Sequence, residues 1–253
     1  MNRLNASTAS NASNSSNALR MTLATATLAL ISAAALAPNP AWAGTETRAV
    51  TEFDAIALGG SFNLQVSQGD KTSVVVQADD KLLPLIETVV DNGRLEVRWK
   101  RGTQSWGWNS SRDNIKVTVV TPKLRALSAA GSGDIQLAAF NTPALKLSIS
   151  GSGNALLSAL TTDELGVAVA GSGDVKGAGK ATKVAINIAG SGDVKLIEMK
   201  SDDATVKISG SGSATVNAGK TLAVSIAGSG DVTYSGEATV KSSVAGSGSV
   251  SKK

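Results

Sequence analysis

Cysteine and histidine are both missing from this 253-residue chain. Without histidine there is no Ser-His-Asp triad and no imidazole metal site; without cysteine there is no thiol nucleophile. No disulfide can form and no lipid can be attached through a thiol, so the fold must hold by packing alone. Charge is close to balance. The formal value of +4 falls to +2 once residues 1–43, with two arginines and no acid, are set aside. That gives no case for a nucleic-acid partner.

Long apolar runs are also scarce. Leu23 to Leu36 is uncharged, but about 14 residues fall short of the roughly 20 that a membrane-spanning helix needs. Arg3 and Arg20 precede it; Pro38, Pro40 and the small-x-small triplet Ala41-Trp42-Ala43 follow. This is the pattern of an export signal cleaved before Gly44. The expectation is a signal peptide over 1–43 and one domain over 44–253. The mature chain is expected to be periplasmic or secreted, with no transmembrane segment.

What the chain has in abundance is glycine. Gly-Ser-Gly begins at Gly131, Gly151, Gly171, Gly190, Gly210, Gly228 and Gly246, at spacings of 18 to 20 residues. Upstream of each copy apolar residues alternate with small or polar ones, as in Leu145-x-Leu147-x-Ile149 and Val184-x-Ile186-x-Ile188. The residue just before each copy is Ala or Ser. Alternation with β-branched residues marks strands with one buried face, and a constant short period marks a solenoid. A coil of about 19 residues suits three short strands stacked about 4.8 Å from the next coil. A propeller blade needs about twice that length. The expected fold is all-β, a solenoid with the cross-section of a parallel β-helix. Residues 121–253 supply the Gly-Ser-Gly coils and 44–120 the degenerate N-terminal coils.

The residues also resemble a known family. Thr121-Pro122-x-Leu124 leads into Ala130-Gly131-Ser132-Gly133-Asp134-Ile135, and Phe53-Asp54-x-Ile56, Gly60-x-Phe62-x-Leu64-x-Val66 and Gln68-Gly69-Asp70 come earlier. In this order they are similar to the bacterial family labelled putative auto-transporter adhesin, head GIN domain. The resemblance implies a right-handed β-helical, exported envelope protein. It covers most of Phe53 to Val250. No segment after Val250 has the amphipathic-strand pattern of an outer-membrane barrel, so self-export by that route is not expected.

Two groups of residues are candidate sites. Asp134, Asn154, Asp174, Asp193, Ser213, Asp231 and Ser249 follow successive Gly-Ser-Gly copies, so in a solenoid they stack as a column. Such oxygens accept hydrogen bonds from turn amides, which is the favoured reading. The alternative is a calcium site using Asp134, Asp174, Asp193 and Asp231. The second group is Trp106 and Trp108, in a polar stretch of a chain with only 3% aromatic residues. They either cover the solenoid flank or stack on a sugar ring.

Catalysis has less support. Asp79-Asp80, Asp163-Glu164 and Asp202-Asp203 are adjacent acids, which point to opposite faces of a strand. No cofactor is implied. The sequence reads as a non-catalytic structural or binding protein of the envelope, with a polysaccharide or another envelope or surface protein as partner. A polysaccharide hydrolase or lyase on the same scaffold is the competing reading.

Overall fold

Alternating Leu, Ile and Val lines one side of each strand, and the small or polar residues between them line the other. The computed structural model describes residues 44–102 and 115–253. Its first half contains β1 (Thr45–Arg48), β2 (Ala55–Gly59), β3 (Asn63–Gln68), β4 (Ser73–Gln77), β5 (Ile86–Asp91), β6 (Arg94–Trp99), β7 (Lys116–Thr121), β8 (Ala126–Gly131) and β9 (Ile135–Leu137). The second half contains β10 (Phe140–Asn141), β11 (Ala144–Gly151), β12 (Ala155–Gly171), β13 (Val175–Gly190), β14 (Val194–Gly210), β15 (Ala214–Gly228), β16 (Asp231–Ser235), β17 (Thr239–Gly246) and β18 (Ser249–Lys252).

From β8 onward each coil stacks in parallel on the one before. Pairing of β12 with β13 shows the three faces of a coil. An exit face leaves the turn (Ala155 to Leu157 on Val175 to Gly177), and a short face follows (Leu160 to Thr162 on Gly179 to Ala181). An approach face then leads to the next turn (Glu164 to Gly171 on Lys183 to Gly190). This is a β-solenoid, a parallel β-helix with the expected three-sided coil.

Register stacks like on like. Leu147, Val167, Ile186, Val206 and Val224 form one inward column, and Ile149, Val169, Ile188, Ile208 and Ile226 the next. All are buried in one continuous core. Each such side chain contributes about 1.5–3 kcal/mol by leaving water. At the corner between the short and approach faces, buried hydroxyls bond to carbonyls. Thr142 Oγ1 donates to Leu124 O at 2.7 Å, Thr162 Oγ1 to Pro143 O at 3.1 Å, and Ser201 Oγ to Asn217 O at 2.6 Å.

The N-terminal part supplies coils, but not in chain order. β2 lies between β8 and β6, and β3 lies between β9 and β7, so the β6–β7 coil is outermost although it comes second. Antiparallel strands then close that end. β4 adds to β7 and β1 to β4, while β5 folds back on β6. Between β4 and β5 the chain makes a 3-10 turn at Leu83–Leu85, with Leu82, Leu83 and Ile86 buried. The end is sealed, not merely frayed.

Candidate functional site

Each Gly-Ser-Gly corner divides its work between the two glycines. The first glycine of every copy has φ between +130° and +135°, a region that L side chains rarely occupy. The second has no positive φ. It sits so close to the preceding coil that a Cβ on Gly153 would overlap the carbonyl oxygen of Gly133. The serine amides tie the corners together: Ser152 N–H donates to Gly131 O at 3.1 Å and Ser172 N–H to Gly151 O at 3.0 Å. The same corner recurs at Gly60-Ser61-Phe62, where φ of Gly60 is +145°. Phe62 replaces the second glycine there and packs on Trp99, ring centroids 5.3 Å apart. The sequence signal was Gly-Ser preceding Phe62-x-Leu64-x-Val66, a motif reduced by one residue.

These corners place the acidic column on the exit face. Its geometry is a ladder in which each side chain accepts the backbone N–H of the same position one coil later. Asn63 Oδ1 accepts from Asp134 (3.1 Å) and Asp134 Oδ1 from Asn154 (2.9 Å). Asn154 Oδ1 accepts from Asp174 (3.1 Å), Asp174 Oδ1 from Asp193 (2.9 Å) and Asp193 Oδ1 from Ser213 (3.1 Å). After Ser213 the pattern resumes with Asp231 Oδ1 and Ser249 N–H (2.9 Å). The acids are thus one or more coils apart, each with an oxygen committed to an amide. Among the described residues no group of three acids is close enough to hold a metal ion.

Beside the ladder runs a second outward column: Thr118, Gln65, Gln136, Leu156, Lys176, Lys195, Thr215, Thr233 and Ser251. Lys195 is held by Asp193 at 3.1 Å and approaches Asp174 at 4.0 Å. The hydrogen bond to Asp193, followed by that charge, raises its pKa above the ordinary 10.5. Lys176 makes no ion pair among the described residues. Leu156 is 44% exposed, one of two large apolar side chains so exposed among the described residues.

Two shallow depressions meet at Leu156 and Lys176. One, of about 350 Å³, is lined by Asp134, Gln136, Asn154 and Asp174. The other, of about 250 Å³, is lined by Ser158, Ala178, Lys195 and Glu198. The sequence reading did not single out Leu156. Its signal was a leucine at an outward position of the alternation, where the other coils carry Gln, Lys, Thr or Ser.

At least one member of each adjacent acid pair is engaged by a neighbour. Asp79 Oδ1 accepts the Lys81 amide at 2.9 Å. Glu164 pairs with Lys183 at 3.8 Å, Asp202 with Lys220 at 2.9 Å, and Asp203 accepts from Thr221 Oγ1 at 2.6 Å. Trp106 and Trp108 lie outside the described residues. No helix among the described residues is long and apolar enough to cross a membrane.

A stack of coils with extended outer faces and shallow depressions defines a repeat protein of the β-solenoid class. Within that class, residues 52–238 match the family described as "Putative auto-transporter adhesin, head GIN domain", and the chain belongs to that family. A crystal structure of a putative adhesin from Bacteroides fragilis NCTC 9343 is similar at 26% identity and a TM-score of 0.76; the match covers 83% of this chain and 96% of that one. A putative lipid binding protein from Parabacteroides distasonis ATCC 8503 is also 26% identical, with the same coverage and a TM-score of 0.68. A putative adhesin from Parabacteroides merdae ATCC 43184, at 22% identity and TM-score 0.65 over 83% of this chain and 95% of that one, shares the fold. No curated protein matches the chain.

Proposed function

We propose that the protein is an exported, non-catalytic, adhesin-like binding module of the cell envelope that holds a glycan along its exit face. The observation that carries this reading is the unbroken outward column from Thr118 to Ser251, opening into joined depressions at Leu156. A polymer of repeating polar units meets a repeating polar surface there, one row per coil. At least one acid of each adjacent pair is engaged by a neighbour, which favours binding over a hydrolase or lyase, since that chemistry needs a free acid and base opposed across a substrate.

The lipid-binding description of one relative suggests another ligand. Among the described residues only Leu156 and Val244 are large, apolar and exposed, and they lie in separate coils. That is little surface for an acyl chain and enough for one face of a sugar. Trp106 and Trp108 are the proposed second contact.

The test is an array of envelope and host glycans probed with the purified protein and with a Trp106→Ala/Trp108→Ala variant. Saturable binding by the unaltered protein is expected, weakened in a variant that still folds. An array with no saturable binder rejects the reading and leaves protein partners.

A further inference from the structure

Leu156 is the only apolar residue in its outward column, and its neighbours there differ from one another in chemistry. In register, Gln136 lies one coil before it and Lys176 one coil after. Adjacent rows are about 4.8 Å apart, so a group lying over Leu156 is within reach of both side chains. Lys176 is exposed and makes no ion pair among the described residues, which leaves its ammonium N–H groups as donors. Acceptors lie on the other side. Asp134 commits Oδ1 to the Asn154 backbone and side-chain N–H groups, at 2.9 and 3.1 Å; its Oδ2 has no hydrogen bond among the described residues. Gln136 adds an amide oxygen.

A methyl-sized apolar surface, a cationic donor on one side and oxygen acceptors on the other form a set. We infer that this part of the exit face recognises the acetamido group of an N-acetylhexosamine. The methyl packs on Leu156, the carbonyl oxygen accepts from Lys176 Nζ, and the N–H donates to Asp134 Oδ2 or Gln136 Oε1. A neutral ligand uses Asp134 and Lys176, which flank the leucine with opposite signs, while Asp174, the third charged residue of the lining, holds the Asp193 amide through Oδ1. A carboxylated sugar would place its charge beside Asp134 and Asp174, two of the lining residues. The sugar chain then runs along the coil axis, where the joined depressions continue to Lys195 and Glu198.

The inference rests on the glycan reading above and narrows it to one sugar class and one place. It is tested by titrating the purified protein with chitotetraose and, separately, cellotetraose. These share a β-1,4 backbone and differ only in the acetamido group. Chitotetraose is expected to bind at least tenfold more tightly, and Leu156→Asp to weaken it at least tenfold. Lys176→Met is expected to weaken it severalfold, with Lys176→Arg restoring most of the loss because a donor returns. Leu156 and Lys176 are exposed, so thermal melts of these variants should match the parent; a variant that melts early is replaced by Leu156→Ser.

Equal affinity for the two sugars overturns the inference, as does chitotetraose binding that Leu156→Asp leaves unchanged. Failure to bind chitotetraose by a protein that binds other glycans on the array also overturns it, while the wider glycan reading stands.

Discussion

The two glycines of each corner look interchangeable in a sequence and are not. The first is required by its own backbone, at φ +131° for Gly151. The second is required by the neighbouring coil, whose Gly133 carbonyl a Cβ on Gly153 would strike. Gly151→Ala and Gly153→Ala are each expected to cost more than about 2 kcal/mol, as strain and overpacking do. Ser152→Ala should stay within about 0.5 kcal/mol, because the serine contributes its amide and its side chain is exposed. Urea midpoints of the three variants separate the cases. Repetition made both glycines visible in the sequence; which does what depends on contacts 20 residues away.

The ladder of Asp, Asn and Ser gives a second residue-scale expectation. Asp174→Ala leaves the Asp193 amide without its acceptor and is expected to lower stability by about 0.5–1.5 kcal/mol. Asp174→Asn keeps an oxygen in place and should recover most of that in the same urea titration. The tolerance for Asn and Ser in this column was legible as capping. That the capped amide belongs to the next coil was not, because the period says that coils stack but not which atoms meet.

Among the elements, the β5–β6 hairpin shows where local signals went unread. Asn92 and Gly93 have φ of +49° and +74°, the pair of positive values that a two-residue hairpin turn requires. Asn-Gly between alternating apolar residues is a strong hairpin signal, and it is the reason that β5 runs antiparallel within an otherwise parallel stack. The placement of the β6–β7 coil outside the β2–β3 coil has no local signal. It follows from which sheet edge is free when each strand docks, a matter of long-range register.

At the opposite end β17 presents an outer edge that is unpaired among the described residues. Its inward positions are Val240, Ser242 and Val244, stacked on Leu222, Val224 and Ile226. Serine enters a column that is apolar in the preceding coils, and Lys241 stands beside it, devices that discourage edge-to-edge pairing. Lys241→Val/Ser242→Val is therefore expected to self-associate at concentrations where the parent is unaffected, as read by sedimentation velocity. Unchanged sedimentation would show that these two residues do not protect the edge.

For the whole molecule, period and alternation were enough to reach a three-sided solenoid with Leu, Ile and Val columns inside. The proposed binding face was less accessible to sequence. The clustered tryptophans drew notice because they are rare, while Leu156 gained meaning only when register placed it between Gln136 and Lys176. Two ion pairs, one within a coil and one between coils, contribute to the alkaline pH response. Lys195 and Lys220 have pKa values raised by hydrogen bonds to Asp193 and Asp202, and then by the charges of those carboxylates. A raised folded-state value means that the contribution is fully present below the unfolded value, near 10.5, and is lost as pH rises through the higher folded value. Melting temperature is therefore expected to lack any contribution from these pairs to a change between pH 7 and 9, and to lose their support above about pH 10.5. Asp193→Asn and Asp202→Asn together should flatten that alkaline fall.

The claim on which the account turns is that this solenoid holds a glycan and does not cut it. Mass spectrometry of a panel of soluble bacterial and host-type glycans, after prolonged incubation with the purified protein and capture of the complex, addresses both halves at once. The account predicts that at least one glycan is captured and that every chain length is unchanged. Shortened or unsaturated products, or a panel from which nothing is captured, would contradict it.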